Sequence, residues 1–136
     1  MIEWKETLAT GVDDIDNQHK ELFYRINNLI SVMGTNSAND DVNELFTYLE
    51  NYIRTHFTME ETLMIENQYP NFRHHQDQHI GYIKAFAELR RSYITDQYST
   101  NLALKLRSVL VSWWLNHISR VDKALGEYIK ERSIHQ

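Results

Sequence analysis

The sequence contains no cysteine, and it has only four glycines and one proline in 136 residues. The absence of cysteine excludes disulfides, thiolate nucleophiles, iron–sulfur clusters and Cys-rich zinc modules, so histidine, aspartate and glutamate are the available metal ligands. The scarcity of glycine and proline leaves long uninterrupted segments, which favour regular secondary structure. The length predicts a single domain over residues 1–136.

Positive charge and long hydrophobic runs are also scarce. Lysine and arginine total 14 against 19 aspartates and glutamates, a net charge of −5, which argues against a nucleic-acid partner. No apolar run approaches the roughly 18 residues of a membrane span. The N-terminus lacks the basic stretch and apolar run of a secretory signal. We therefore expect a cytoplasmic protein without a membrane span.

The apolar residues recur every three to four positions, which is the period of amphipathic α-helices. An N-terminal arm of about residues 1–13 precedes four such segments, at about 15–33, 39–67, 71–94 and 100–130. Polar turns are expected at residues 34–37 and 95–100. The pattern predicts an all-α, up-down-up-down four-helix bundle in which the fourth helix continues as a C-terminal helical extension.

Five of the seven histidines fall on the apolar faces of the predicted helices: His19, His56, His75, His79 and His117. A single histidine on such a face is more often a hydrogen-bonded core residue than a ligand. In an antiparallel bundle, however, these five lie at one height, because residues shortly before a turn face those shortly after it. Five unpaired imidazoles and Glu60 in a core would be strongly destabilising, so a metal centre is favoured over a purely structural polar layer.

The spacings within the helices support a shared centre, with one weak link. His56 and Glu60 are four residues apart, as are His75 and His79, so each pair lies on one helix face. Asp122 follows His117 by five residues, which is about 140° around an ideal helix. It reaches the same centre only if the helix is overwound, bulged or ends there. The spacing alone leaves a solvated surface charge as an equal alternative.

The number of candidate ligands indicates two metal ions. Imidazole nitrogens combined with carboxylate oxygens suit iron, zinc, copper or manganese, and seven ligands exceed the four of a structural zinc site. If Glu60 and Asp122 both bridge, the protein supplies about nine bonds, and an oxide or hydroxide bridge brings this to about eleven of the twelve that two octahedral ions need. The remaining position would take a small molecule.

The order of these residues resembles the bacterial hemerythrins, a family of His-rich diiron oxygen-binding proteins. The family pattern is a lone His, His-x3-Glu, His-x3-His and His-x4-Asp, and the flanking GVDDID, HFTMEETLM and Tyr69-Pro70 agree with it over nearly the whole chain. The resemblance implies two oxo- or hydroxo-bridged iron ions. It assigns three histidines to one ion, two to the other and the carboxylates to both: His75, His79 and His117; His19 and His56; Glu60 and Asp122.

The resemblance also implies reversible dioxygen binding, for oxygen storage, transport or delivery to oxygen-requiring enzymes, and no enzymatic activity. The ligand types agree, because the Glu-x-x-His motif of ferritin-like diiron enzymes does not occur and neutral imidazoles support high-valent iron less than carboxylates do. A diiron oxidoreductase acting on peroxide or nitric oxide and an oxygen sensor are the alternatives. The expected partners are dioxygen and, transiently, an oxygen-consuming enzyme.

One position departs from the family pattern. Trp114 stands three residues before His117, where the family commonly has leucine beside the oxygen pocket. Residues three apart share a helix face, so we expect the indole to point toward the diiron centre and to restrict the oxygen pocket. Packing as an ordinary core residue is the alternative. The two remaining histidines, His74 and His135, are expected on the surface and in a frayed tail.

Overall fold

The computed structural model describes residues 1–33, 39–95 and 100–134, and the regular structure of these ranges is helical. A short 3-10 helix in the arm (Glu6–Leu8) precedes the three helices α1 (Asp13–Met33), α2 (Asn39–Glu66) and α3 (Phe72–Thr95). The fourth helix is made of five consecutive parts: α4 (Thr100–Arg107), a first π turn (Ser108–Ser112), α5 (Trp113–His117), a second π turn (Ile118–Asp122) and α6 (Lys123–Ile134).

Consecutive helices pack against one another in the described part of the chain: α1 against α2, α2 against α3, and α3 against the fourth helix. The prediction of an all-α four-helix bundle is confirmed. The first helix begins at Asp13 rather than at about residue 15, and the fourth continues to Ile134 rather than to about 130. The turn predicted at residues 34–37, most of the turn at 95–100 and His135 lie outside the described residues.

The N-terminal arm is tied to the start of α1. The carboxylate of Asp16 accepts hydrogen bonds from the backbone N–H groups of Thr10 (2.8 Å) and Gly11 (3.2 Å), and from the hydroxyl of Thr10 (2.8 Å). Gly11 has a φ of 87°, a conformation that favours glycine. At Gly126 in α6 an added Cβ would overlap the carbonyl oxygen of Thr10. The arm therefore joins α1 to α6 at one end of the bundle.

The apolar core consists of two clusters. The larger one extends from the arm to Ile118, and the smaller one is centred on Ile15, Met64 and Leu125. The predicted ligands lie between these clusters along the helices, since His19 falls between residues 15 and 22 of α1. The packing thus places a polar layer between two apolar ones. None of the helices in the described ranges has the length and apolar character needed to cross a membrane.

Candidate metal centre

Seven buried polar side chains meet inside the bundle, and each is at most 2% exposed. They come from all four helices, and they are the seven predicted ligands: His19, His56, Glu60, His75, His79, His117 and Asp122. No helix contributes more than two of them. The sequence therefore brings together these side chains by helix packing, at one level of the core.

The seven side chains form two overlapping groups. In the three-His group, ligand atoms of His75, His79, His117 and both carboxylates lie within 4.8 Å of one another. In the two-His group, His19 and His56 meet the same carboxylates within the same limit. Glu60 and Asp122 thus belong to both groups. This is the division that the resemblance implied for two bridged ions.

Each carboxylate directs one oxygen to each group. Glu60 Oε1 lies 3.1 Å from His79 Nε2 and 3.4 Å from His75 Nε2, whereas its Oε2 lies 3.5 Å from His56 Nε2. Asp122 Oδ2 lies 2.9 Å from His19 Nε2, and Oδ1 lies 3.1 Å from His75 Nε2. An oxygen on each side is the arrangement that lets a carboxylate bridge two cations.

The second π turn explains how Asp122 reaches the centre. A π turn closes hydrogen bonds between residues five apart, so it brings residues five apart onto one face of the helix. Ile118–Asp122 is such a turn, and Asp122 Oδ1 lies 3.1 Å from His117 Nε2. The helix is bulged there, and a bulge is one of the conditions under which the spacing allows His117 and Asp122 to reach the same centre. The alternative of a solvated surface charge is wrong, because Asp122 is fully buried.

Among the described residues, the atoms that face the centre have no hydrogen-bond partners. The Nε2 atoms of all five histidines and the four carboxylate oxygens are buried without one. Polar atoms buried in this way are strongly destabilising unless they are satisfied. Nitrogen and oxygen donors of this kind fit two borderline divalent or trivalent metal ions.

Burial keeps two of the imidazoles neutral. It lowers the pKa of His56 to about 3, with a further contribution from the neighbouring His19. It lowers the pKa of His79 to about 2, and His75 and His117 add to the effect. Metal ligands must be deprotonated. These two side chains therefore present nitrogen lone pairs at neutral pH without competition from protons.

The two carboxylates affect one another and His75. Burial and the nearby Asp122 raise the pKa of Glu60 well above its usual range. Burial also disfavours the charged form of Asp122, but the surrounding histidines, His117 first, outweigh it and hold the pKa well below its usual range. Burial lowers the pKa of His75, yet Asp122 and Glu60 outweigh this and raise it to about 9. The carboxylates thus favour a positive charge between them.

Three histidines are oriented by hydrogen bonds at their outer nitrogens. The Nδ1 atoms of His56 and His117 lie 2.7 and 2.8 Å from the amide oxygens of Gln18 and Gln78. His79 Nδ1 lies 3.0 Å from Glu61 Oε2. An acceptor at Nδ1 holds the proton there and leaves the Nε2 lone pair pointing inward.

Sequence analysis missed these three acceptors, Gln18, Gln78 and Glu61. Each of them adjoins a predicted ligand in the sequence, but it bonds a histidine on a different helix. No spacing within a single helix signals such a contact. The two remaining outer nitrogens, His19 Nδ1 and His75 Nδ1, are buried and have no hydrogen-bond partner among the described residues.

Trp114 is fully buried beside the centre. Its ring centroid lies 6.3 Å from those of both His56 and His117, and it packs on Phe57 at 5.6 Å. It is therefore both a core residue and a neighbour of the ligands. His74, in contrast, is exposed and contacts Gln78 at 3.4 Å, as expected for a surface residue.

Comparison with known proteins identifies the family. The family model described as hemerythrin HHE cation binding domain matches residues 10–129. The chain belongs to the hemerythrin family. The match includes all seven buried ligand candidates, and the resemblance inferred from the sequence is confirmed.

Curated relatives and solved structures of the hemerythrin family agree over nearly the full length. The bacteriohemerythrin of Stenotrophomonas maltophilia is 32% identical, covering 96% of this chain and 82% of the relative. That of Pseudomonas aeruginosa is 30% identical, covering 96% and 88%. A crystal structure of wild-type hemerythrin is 28% identical and superposes with a TM-score of 0.81 over 93% of this chain and 96% of that chain.

Proposed function

We propose that this hemerythrin-family chain binds dioxygen reversibly at a non-heme diiron centre. The observation that carries the proposal is the placement of Glu60 and Asp122, each with one oxygen toward the three-His group and one toward the two-His group. Five buried imidazoles complete the donor set. The relatives named bacteriohemerythrin support iron as the metal and dioxygen as the ligand.

The seven ligand candidates would hold two iron ions. His75, His79 and His117 would hold one ion, His19 and His56 the other, and the carboxylates both. The ion held by His19 and His56 would have one nitrogen ligand fewer, so it would be the one with an open position for a small molecule. When bound, the irons supply the electrons with which dioxygen is held. No residue of the chain has to act as a base in this role.

The surrounding side chains keep water away from that open position. Trp114 and Phe57 are buried near His56, with 6.3 and 6.1 Å between their ring centroids and that of the imidazole. Apolar walls of this kind exclude water and anions from a metal centre. We propose that Trp114 restricts the oxygen pocket in this way.

The proposed role is storage, transport or delivery of dioxygen in the cytoplasm, with a transient contact to an oxygen-consuming enzyme. It rests on the family resemblance and on the nitrogen-rich ligand set. A diiron oxidoreductase acting on peroxide or nitric oxide, or an oxygen sensor, would share the fold and the ligands. Rapid turnover of peroxide or nitric oxide separates the oxidoreductase from a carrier.

The test measures metal content and the absorption spectrum under oxygen and after its removal. We expect about two irons per chain and a charge-transfer band that disappears on deoxygenation and returns with air. His75→Gln should lose iron, whereas His74→Gln, the adjacent surface substitution, should keep it. One zinc per chain, or no metal, would contradict the diiron site. Rapid multiple turnover of peroxide or nitric oxide with a reductant, without a stable oxygen adduct, would establish the enzyme instead.

A further inference from the structure

One of the hydrogen-bond acceptors at the rim of the centre is charged, whereas the others are neutral. Among the described residues, three histidines of the site have an acceptor at Nδ1, and two of these acceptors are neutral glutamine amides. His79 instead faces the carboxylate of Glu61, with 3.0 Å between Nδ1 and Oε2. In the described part of the chain, the three-His group therefore contains one imidazole with an anionic partner at Nδ1, and the two-His group contains none.

Glu61 is held in this position by contacts on both oxygens. Its Oε1 accepts a hydrogen bond of 3.0 Å from Gln76 Nε2, while Oε2 faces His79. The imidazole of His79 is held as well, because Phe57 stacks on it at 3.8 Å with an angle of 7° between the rings. The Glu61 side chain is 24% exposed and that of His79 only 3%. The carboxylate thus stands at the outer wall of the bundle, with the imidazole between it and the centre.

A carboxylate in this place changes the electronic properties of the ligand. A carboxylate that accepts the Nδ1 proton of a ligating histidine raises the basicity of the opposite nitrogen. A more basic ligand and a nearby negative charge both stabilise the more positively charged, oxidised ion. A glutamine amide fixes the ring equally well but carries no charge. The difference between Glu61 and the two glutamines is therefore a difference in charge and not in orientation.

We propose that Glu61 is a positioning residue that acts through His79 to favour the oxidised state of the iron in the three-His group. This inference rests on the proposed diiron function and deepens it. It makes the two ions inequivalent beyond their numbers of histidines. The ion without the open position is the one whose oxidised state is favoured.

The first experiment separates charge from orientation. In Glu61→Gln the amide oxygen still accepts from His79, so the orientation is kept and the charge is lost. We expect the first one-electron reduction of the oxidised, iron-loaded protein to become at least about tenfold more favourable, which is a rise in midpoint potential of about 59 mV. Gln78→Glu, which gives His117 the same kind of partner, should shift the potential in the opposite direction.

Two controls keep the result specific. Asp77→Asn removes one negative charge from an exposed position on α3, the helix that carries His79. It should leave the midpoint potential unchanged. Nitrogen NMR of the iron-free protein reports the Nδ1 proton of His79, which should persist in Glu61→Gln and lose its hydrogen bond in Glu61→Leu. This second measurement does not depend on bound iron.

The outcomes distinguish this inference from the function on which it rests. If Glu61→Gln binds two irons with the wild-type potential while Glu61→Leu is shifted, Glu61 only orients the ring and the inference is overturned. Equal potentials in all variants overturn it too. If the wild-type protein binds no iron, the proposed function fails together with this inference. If Asp77→Asn shifted the midpoint potential as much as Glu61→Gln, the effect would come from the net charge of the protein and not from the contact of Glu61 with His79, and the inference would be overturned.

Discussion

The indole N–H of Trp114 donates a hydrogen bond of 2.8 Å to the hydroxyl of Tyr82. That hydroxyl donates in turn to the carbonyl oxygen of Val109, at 2.9 Å, in the first π turn. Both aromatic side chains are buried, so the chain of hydrogen bonds satisfies the only polar atoms of the two rings. The indole is fixed by its N–H at one edge while its ring packs near His56.

Because the indole of Trp114 is anchored, we expect it to act as a barrier to small anions that approach the metal centre. Trp114→Leu removes much of the volume beside His56 and His117, so water and azide should reach the metal centre more easily. We expect autoxidation and azide binding to accelerate by about tenfold, equivalent to a barrier lower by about 1.4 kcal/mol, with unchanged iron content. Stopped-flow absorption measures both rates.

Trp4→Leu is the matched control, because Trp4 lies in the arm against Phe23 and not beside the ligands. It should leave both rates at the wild-type value. Unchanged rates in Trp114→Leu would show that oxygen and anions enter past other residues.

Glu60→Gln tests the bridging role. The amide keeps the shape of the side chain but removes its charge and one good ligand oxygen, and both groups of histidines face that carboxylate. We expect iron loading to fall clearly below two per chain, since even the loss of an outer partner of a metal ligand typically costs about 10–100-fold in affinity, and Glu60 would be a ligand itself. Iron analysis after loading and desalting measures this.

Glu66→Gln removes an equivalent charge at the exposed end of α2 and should load iron as the wild type does. Full occupancy of Glu60→Gln with an unaltered spectrum would contradict a bridge at Glu60.

The helices and the depth of the site could be predicted because both depend on periodicity along a single chain. His75 and His79 are four apart on one helix, and the turn before them sets their height against His56 and Glu60. Such arguments need only the helix repeat. The same reasoning does not determine where a helix is bulged, because a π turn leaves no clear mark in the order of apolar residues. That is why the spacing alone left Asp122 undecided, and only the family resemblance assigned it as a ligand.

Contacts between helices account for what the sequence did not show. Gln78 bonds His117 and Glu61 bonds His79, and in each case the choice of partner depends on how two helices are rotated about their axes. The bond from Trp114 to Tyr82 has the same origin. Periodicity gives the face of a residue, whereas the partner on the facing helix depends on packing.

The iron-free protein should be most stable near pH 6.5. In the folded protein His56 and His79 have pKa values of about 3 and 2, so they stay neutral below pH 6.5 while the same residues of the unfolded chain bind protons. The free energy of unfolding therefore falls as the pH falls. The raised pKa of Glu60 acts in the opposite direction, because folded Glu60 keeps a proton that the unfolded chain releases above about pH 4.5. Each such group contributes up to about 1.4 kcal/mol per pH unit.

Above pH 6.5 the sign reverses. Folded His75, with its pKa raised to about 9, keeps a proton that the unfolded chain releases, so stability falls as the pH rises from 6.5 to 9. Urea unfolding of the iron-free protein at pH 5, 6.5 and 8 measures both arms. A stability that rises steadily across this range would contradict the charge state inferred for His75.

Gly126 and Gly81 differ in their surroundings, so substitution by alanine should have opposite effects on stability at the two positions. Gly126 in α6 faces the arm, and an added Cβ would overlap the carbonyl oxygen of Thr10 and lie 2.8 Å from its Cβ. Gly126→Ala should therefore push the arm away and weaken its bonds to Asp16, at a cost of about 1–3 kcal/mol. Gly81 in α3 is exposed, and an added Cβ meets nothing within 4 Å. Gly81→Ala should stabilise the helix by about 0.5–1 kcal/mol. Chemical unfolding of the two variants measures both changes, and a stabilised Gly126→Ala would show that the arm does not rest on α6.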